Sequence, residues 1–130
     1  NVIVAQKLVR RLCPKCKKAV KPTDDVVKKI RSVIDPVKDR LTLPDFGPSF
    51  KIYVAGQCDE CNSSGYKDRV GLFEAFVISR TIENLILTSP SITAIEEMAI
   101  KEGMVTMLQD AYLKFLDWVT SFDEIQRILG

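Results

Sequence analysis

Apolar side chains follow two different spacings along this chain, and each spacing predicts a different kind of element. Residues 2–5 form a continuous apolar run typical of a buried strand, which continues as a basic strand or turn to residue 12. Residues 50–54 alternate apolar and polar side chains, and residues 71–78 predict a further strand that is partly buried on both faces. After residue 78 the helical spacing of three and four residues dominates. The pattern therefore predicts an α+β fold in which most helices follow the strands.

Capping residues define the ends of the first predicted helix. Thr23 precedes two acidic residues and a set of apolar residues at helical spacing, which is typical of a helix start. The Asp35-Pro36 pair ends this helix, because proline disfavours the helical conformation in the residue before it. Residues 36–49 contain three prolines and one glycine and predict an irregular loop.

The C-terminal part predicts a bundle of about four helices, and its first two have clear boundaries. One helix carries an apolar stripe that includes Ile82. The next begins at Ser91 or Thr93, since Thr93 is followed three residues later by Glu96, the spacing of a capping box. Gly103 lies where a C-terminal cap is expected.

The last two predicted helices carry most of the aromatic residues of the tail. Apolar residues over 104–119 predict the longest amphipathic helix, and Ser121 followed by Glu124 at the spacing of a capping box begins a final short one. Met107, Tyr112 and Trp118 suggest a ligand pocket at first sight. Their helical spacing favours core positions instead, and we interpret them as core residues.

The candidate chemistry lies in the four cysteines, which form two Cys-x-x-Cys pairs: Cys13 with Cys16, and Cys58 with Cys61. A two-residue gap lets two thiolates of one tight turn bind the same cation, and two such turns complete the tetrahedron of a closed Zn²⁺ site. The stretch between the pairs, residues 17–57, is longer than the separation in a compact zinc ribbon. We therefore expect a structural zinc ion that holds a small subdomain together.

Other interpretations of the cysteines compete with structural zinc. Iron is an alternative occupant of the same four sulfurs. Two disulfides are a second possibility, but four cysteines in 130 residues are few for a disulfide scaffold. Thiol redox chemistry at Cys13-Pro14-Lys15-Cys16 is a third, but such a pair normally opens a helix, and residues typical of a turn and loop follow it here.

Charge is distributed unevenly around the first cysteine pair. The chain has 19 basic and 17 acidic side chains, no histidine and a formal net charge of +2, yet the segment 1–21 contains seven basic side chains and no acidic one. Neighbouring cations favour the thiolate form that binds metal. The same segment suggests an alternative function as an independent zinc-ribbon module for nucleic-acid binding or protein interaction. It lacks interleaved aromatic residues, so we expect no nucleic-acid partner.

Several segments resemble a known family. Residues 4–16, Val-Ala-Gln-Lys-Leu-Val-Arg-Arg-Leu-Cys-Pro-Lys-Cys, lead into the first cysteine pair, and residues 58–74 contain the second pair followed by an Arg-x-Gly-x-x-Glu strand. They resemble the region that follows the catalytic core in the secretion ATPases, the hexameric motors of type II secretion and type IV pilus assembly. Residues 102–104 and 121–124 are similar to the C-terminal helices of that family, so the resemblance covers nearly the whole chain.

The resemblance has departures and leaves the role of several arginines open. Lys7 stands where the family usually has arginine, and Asp68 stands where it usually has glycine. Neither departure removes a candidate metal ligand. Arg10, Arg11 and Arg69 are candidate interface or nucleotide-proximal cations, and surface ion pairs of little energetic consequence are the alternative.

The resemblance implies a division of the chain into three parts. Residues 1–12 would be a remnant strand of an upstream ATPase core, residues 13–78 a tetracysteine metal-binding subdomain, and residues 79–130 a C-terminal helical subdomain. The first part suggests a fragment of a larger protein, because the apolar run at residues 2–5 arrives without neighbouring strands. Its exposed edge is a candidate for pairing with another copy.

The sequence contains no parts for ATP chemistry. It has no Gly-x-x-x-x-Gly-Lys-Ser/Thr loop and no acidic cluster placed to hold Mg²⁺. In the family these parts lie upstream of the position of Gln6, so ATP and Mg²⁺ would bind only in that core. We expect no catalytic and no nucleotide-binding residue here and no ATP hydrolysis by this chain alone, although the parent protein resembles an ATP-hydrolysing motor.

The resemblance also implies partners and a location. The partners would be neighbouring subunits of a homo-hexamer and the inner-membrane platform protein of the secretion or pilus machine. The location would be cytoplasmic, peripheral to the inner membrane through the complex. No apolar run approaches the ~20 residues that a membrane-spanning helix requires.

Overall fold

A computed structural model describes residues 1–88 and 91–130, and it confirms the α+β class. The elements are strands β1 (Val2–Leu12), β2 (Lys18–Val20), β3 (Ile52–Val54) and β4 (Tyr66–Val77), and helices α1 (Asp24–Ile34), α2 (Arg80–Thr88), α3 (Ile92–Lys101), α4 (Met107–Leu116) and α5 (Phe122–Leu129). Short 3-10 helices cover Asp35–Arg40 and Asp59–Cys61. None of the helices in these two described ranges is long and apolar enough to cross a membrane.

The strand pairs are built from segments that are distant in sequence. β1 pairs antiparallel with β4 from Val2 opposite Val77 to Leu12 opposite Tyr66, and β2 pairs antiparallel with β3. The prediction that residues 2–5 lack a strand neighbour is therefore wrong. They are also not buried, because Val2 and Val4 are each 60% exposed.

The larger of the two cores in the described residues, the major core, lies between the β1–β4 sheet and helices α1, α4 and α5. Its buried apolar residues come from both halves of the sequence: Val9, Ile30, Ile34, Phe50, Ile52, Leu72, Ala111, Tyr112, Phe115 and Ile125. Phe122 packs against this core and contacts both Tyr112 and Phe115 through its ring. The major core therefore joins the strands and α1 to the last two helices.

A second cluster, the minor core, consists of Ile82, Ala99 and Met104, and it holds α2 against α3. Phe76 and Ile78 at the end of β4 pack against it. The predicted helical bundle is therefore divided into two helix pairs that pack around different cores. The boundary between residues 78 and 79 stays a prediction, and the major core extends across it.

Capping geometry confirms most of the predicted helix ends. The hydroxyl of Thr23 accepts a hydrogen bond from the amide of Val26 at 3.3 Å at the start of α1. Ser91, rather than Thr93, caps α3 by accepting from the amide of Ala94. Gly103 follows α3 with a φ of +110°, in the left-handed region that a C-terminal cap requires.

The helix predicted over residues 104–119 is shorter in the structure. Thr106 and Gln109 form a reciprocal capping box, so α4 begins only at Met107. Trp118 has a φ of +66° and ends the helical conformation on the other side. Trp118 is also 48% exposed, so its interpretation as a core residue is wrong, whereas Tyr112 is fully buried as predicted.

Candidate metal centre

The strand pairing brings the two cysteine pairs together. Cys13 and Cys16 lie in the turn that joins β1 to β2, and Cys58 and Cys61 lie in the segment that joins β3 to β4. Because β1 pairs with β4 and β2 pairs with β3, these two connections lie side by side at one end of the molecule. The amide of Cys13 donates to the carbonyl of Gly65 at 2.9 Å and ties the connections to each other.

The four Sγ atoms have the spacing of a tetrahedral site. The distance is 3.7 Å from Cys13 to Cys58, 3.7 Å from Cys16 to Cys61 and 3.6 Å from Cys58 to Cys61, and all four atoms lie within 4.8 Å of one another. A tetrahedral ion with metal–sulfur bonds of about 2.3 Å separates its sulfurs by roughly 3.8 Å. The four cysteines are therefore close enough to bind one metal ion.

This geometry does not fit the disulfide interpretation. All four cysteines are free, and their measured sulfur separations are far longer than the ~2.05 Å of a disulfide bond. Cys13 and Cys61 are buried, and Cys16 and Cys58 are partly buried. A site in which protein sulfurs fill all four positions has no open position for a substrate, which is typical of structural metal sites.

Two glycines let the backbone pack closely around the cysteine turns. Gly65 has a φ of +84°, which favours glycine, and its amide donates to the Sγ of Cys61 at 3.2 Å. A Cβ at Gly56 would lie 2.0 Å from the carbonyl oxygen of Cys16. Nothing in the sequence indicated this second contact, because it joins residues that are distant along the chain.

The thiols differ in their proton affinity. Burial, followed by hydrogen bonds with the other three sulfurs, raises the pKa of Cys16 to about 12. Burial also acts to raise the pKa of Cys61, but hydrogen bonds with backbone groups of Gly65 and Cys58 outweigh it and lower this pKa to about 6. The Cys16 thiol therefore holds its proton much more strongly than the Cys61 thiol does. A bound cation allows all four to ionise, and metal binding releases the remaining protons.

Basic side chains near the site have structural partners of their own. Lys17 donates to the carbonyl oxygen of Trp118 at 3.1 Å, and its Nζ lies 5.1 Å from the centre of the Tyr53 ring. The rings of Tyr53 and Trp118 are 5.0 Å apart. Lys17 therefore fixes the segment after α4 against the first cysteine turn, a contact that the sequence did not predict.

The three candidate arginines differ in their surroundings. Arg11 and Arg69 are exposed. Arg10 binds Glu124 of α5 through Nε at 3.1 Å and Nη2 at 2.9 Å, and its guanidinium lies 4.2 Å from the centre of the Tyr66 ring. Arg10 thus takes part in an ion pair within the chain that connects β1 to α5.

Glu124 is a fully buried carboxylate, although its sequence pattern indicated only a capping residue. It accepts hydrogen bonds from the backbone and side chain of Arg10 and from the side chain of Arg127. Burial raises its pKa, but hydrogen bonds from Arg127 and then Arg10 outweigh burial and hold the pKa at about 2. No local sequence signal distinguishes this glutamate from an exposed one, because Arg10 lies at the other end of the chain.

Comparison with known proteins gives this arrangement a family context. A family model described as "Type II/IV secretion system protein" matches residues 1–127. The chain is 30% identical over 125 residues to the type IV pilus assembly ATPase PilB of Myxococcus xanthus, and 28% identical over 123 residues to the PilB of Thermus thermophilus. It is 29% identical over 126 residues to the type II secretion system protein E of Dickeya dadantii.

The three alignments cover very different shares of the proteins compared. They include 96%, 95% and 97% of this chain, but 20%, 13% and 22% of the respective relatives. The chain therefore spans less than a quarter of the length of each of these relatives.

Proposed function

Since the chain belongs to the type II/IV secretion system protein family, we propose that it is the C-terminal zinc-binding scaffold region of a hexameric ATPase. The parent motor powers type II secretion or type IV pilus assembly, as the names of the relatives suggest. The observation that carries the proposal is the four-cysteine cluster, which lies in a chain that aligns with these relatives over nearly its whole length.

Zinc is the metal we assign to this cluster, and its role is structural. Four cysteine sulfurs in a closed tetrahedral arrangement suit Zn²⁺. Zinc binding is coupled to folding in small metal-binding domains, because the ligands come together only in the folded chain. The ion therefore stabilises the junction of the two strand pairs, held by Cys13, Cys16, Cys58 and Cys61, and takes no part in turnover.

The division of the chain follows from the same proposal. Residues 1–12 belong to the edge of the upstream core, residues 13–78 form the metal-binding subdomain, and residues 79–130 form the helical subdomain. ATP and Mg²⁺ bind in the upstream core. The chain alone hydrolyses no ATP, and an assay of phosphate release by the purified chain tests this point directly.

The partners in this proposal are neighbouring subunits of a homo-hexamer and the inner-membrane platform protein. The motor lies in the cytoplasm and reaches the membrane through that complex. A region held rigid by zinc at one end and by the major core at the other transmits motion of the ATPase core without deforming. This is the mechanical role that we assign to the scaffold.

Metal analysis of the purified protein, combined with a variant of the parent motor, tests the proposal. We expect one zinc ion per chain by elemental mass spectrometry. We expect Cys58→Ser in the full-length motor to lose that zinc and to abolish secretion or pilus extension. Asp59→Asn is the matched control, because Asp59 lies between the two cysteines of the same pair and is exposed. Iron in place of zinc, or normal secretion and pili in the Cys58→Ser motor, contradicts the proposal.

The alternative module that binds nucleic acid rests on the basic side chains of the segment 1–21. Nucleic-acid binding of this kind weakens steeply as salt rises. We expect no salt-sensitive binding of DNA or RNA by the purified chain in fluorescence anisotropy. A Kd in the micromolar range at physiological salt would favour the alternative instead.

A further inference from the structure

We propose that metal occupancy of the four-cysteine cluster controls the docking of the C-terminal helix α5, and that Tyr66 and Arg10 carry this coupling. The inference rests on the proposed zinc site and adds a regulatory consequence to it. Its physical basis is a set of hydrogen bonds that joins the loop after Cys61 to Tyr66, and Tyr66 to the first turn of α5.

On the metal side, the position of Tyr66 is fixed by the loop that follows Cys61. The amide of Gly65 donates to the Sγ of Cys61, and the hydroxyl of Ser64 donates to the carbonyl of Cys61 at 2.7 Å. The amide of Tyr66 in turn donates to the hydroxyl of Ser64 at 3.1 Å. A metal that holds Cys61 in place therefore holds Tyr66 as well.

On the helix side, Tyr66 contacts the residue that caps α5. Its hydroxyl lies 2.6 Å from the Oγ of Ser121, and the same Oγ accepts a hydrogen bond from the amide of Glu124 at 3.1 Å. An N-terminal cap of this kind is worth about 1 kcal/mol to a helix. Because α5 has only eight residues, its cap and its docking contacts decide whether it forms.

Arg10 connects the same tyrosine to the buried charge of α5. Its guanidinium stacks over the Tyr66 ring and binds the carboxylate of Glu124, and its backbone carbonyl accepts from the hydroxyl of Thr120 at 2.9 Å. A neighbouring hydrogen bond also joins β1 to the segment before α5, because the amide of Leu12 donates to the carbonyl of Val119 at 2.8 Å. Leu12 directly precedes a metal ligand, so both cysteine pairs are connected to the start of α5.

The helix α3 provides an internal reference. Its buried residue Ala99 belongs to the minor core, which is built from α2, α3 and the end of β4. The hydrogen bonds of the described residues that connect the cysteine loops to a helix lead to the α4–α5 segment and not to α3. A change at the metal site is therefore expected to reach α5 and to leave α3 unaffected.

Amide hydrogen exchange of the chain, with zinc bound and after removal by a strong chelator, tests the coupling. We expect the amides of residues 125–130 to exchange about tenfold faster without zinc, within the usual range of coupling between sites, while those of α3 keep their rates. Tyr66→Phe keeps every sulfur and the aromatic ring but removes the hydroxyl. It should bind one zinc and show α5 exchange that is fast in both states. Tyr53→Phe, the same change on the other side of the cluster, should retain the wild-type difference.

The outcomes separate the failure of the coupling from the failure of the metal site. If zinc binds with one ion per chain but α5 exchanges equally with and without it, the coupling is overturned and the metal site stands. Equal acceleration of amide exchange in α5 and α3 also overturns the coupling, because that result indicates global unfolding. If the wild-type chain binds no zinc, the proposed metal function fails and the coupling fails with it.

A reciprocal measurement supports or overturns the same inference from the helix side. By thermodynamic linkage, undocking of α5 lowers zinc affinity by the same factor by which zinc strengthens docking, so a variant that undocks the helix should bind zinc more weakly. We expect Glu124→Gln to weaken zinc binding about tenfold in competition with a chromogenic chelator. Asp123→Asn, a matched change at the exposed neighbouring position, should leave the affinity unchanged. Equal affinities in the two variants contradict the coupling.

Discussion

The major core and the minor core differ both in size and in the sequence distance that they bridge. Among the described residues, ten buried apolar side chains form the major core and three form the minor core. The major core joins β1 to α5, elements at opposite ends of the chain, and the cysteine cluster closes it at one end. The minor core joins α2 to the adjacent α3. On the proposed function, zinc stabilises the region that depends on contacts between distant segments, whereas the minor core depends on contacts between neighbouring helices.

The largest expected effect comes from removing one metal ligand. Cys58→Ser should lower the free energy of unfolding by about 4 kcal/mol or more, because the variant loses a metal ion whose binding is coupled to folding. Urea denaturation followed by circular dichroism measures the change. Asp59→Asn should unfold like the wild type. An unchanged midpoint in Cys58→Ser would show that the major core needs no metal.

A change in the minor core should have a smaller and local effect. Ile82→Ala creates a cavity in a fully buried position and should cost about 2–4 kcal/mol in the α2–α3 region. Amide exchange should accelerate in α2 and α3 and remain slow in α4. Leu87→Ala, at a position of the same helix that is 75% exposed, is the matched control. If α4 loses protection together with α3 in Ile82→Ala, the two cores unfold as one unit.

Acid should weaken the major core through Glu124. The folded pKa of Glu124 is about 2, below its ordinary value of 4.5. A carboxyl whose pKa is lowered by folding contributes stability that is complete above its unfolded pKa and is lost as the pH falls towards its folded pKa. The contribution of about 3 kcal/mol at neutral pH should therefore disappear between pH 5 and about pH 2.

Glu124→Gln separates this contribution from general acid effects. The free energies of unfolding of wild type and variant, measured by urea denaturation, should differ by about 2 kcal/mol at pH 7 and by much less at pH 3. The exposed variant Asp123→Asn should follow the wild type at both pH values. A difference in the free energy of unfolding between wild type and Glu124→Gln that stays constant with pH would mean that the charge of Glu124 adds nothing to stability.

The smallest expected effect concerns an ion pair on α4. Lys114 Nζ lies 2.9 Å from both carboxylate oxygens of Asp110, four residues earlier on the same helix, and both side chains are partly exposed. Lys114→Gln should lower the free energy of unfolding by about 0.5 kcal/mol, because such pairs are largely screened by water. Thermal denaturation at low and high salt measures it. A loss several times larger than this would show that the pair anchors α4 to the major core.

Local features of the molecule could be predicted from the sequence. The spacing of Cys13, Cys16, Cys58 and Cys61 was sufficient to nominate the four candidate ligands, and the structure brings their sulfurs together. Thr23 and Gly103 were placed correctly as caps because capping depends on a few neighbouring residues.

The features that could not be predicted depend on distant partners. The apolar run at residues 2–5 resembled a strand without neighbours, but its partners lie in β4. Glu124 resembled an ordinary capping residue, and the arginine that neutralises it precedes it by 114 positions. The assignment of α4 to the major core and α3 to the minor core depends likewise on contacts that span the chain.

The pairing of β1 with β4 has a kinetic consequence. During synthesis Cys13 and Cys16 emerge well before Cys58 and Cys61, so the proposed zinc ion would first meet only two of its four candidate ligands. Contacts between distant segments form slowly because the intervening loop must close first. On the proposed function, zinc capture and sheet closure form one late step, and we expect the refolding rate in stopped-flow fluorescence of Trp118 to rise with zinc concentration. A rate independent of zinc would place metal capture after the sheet has closed.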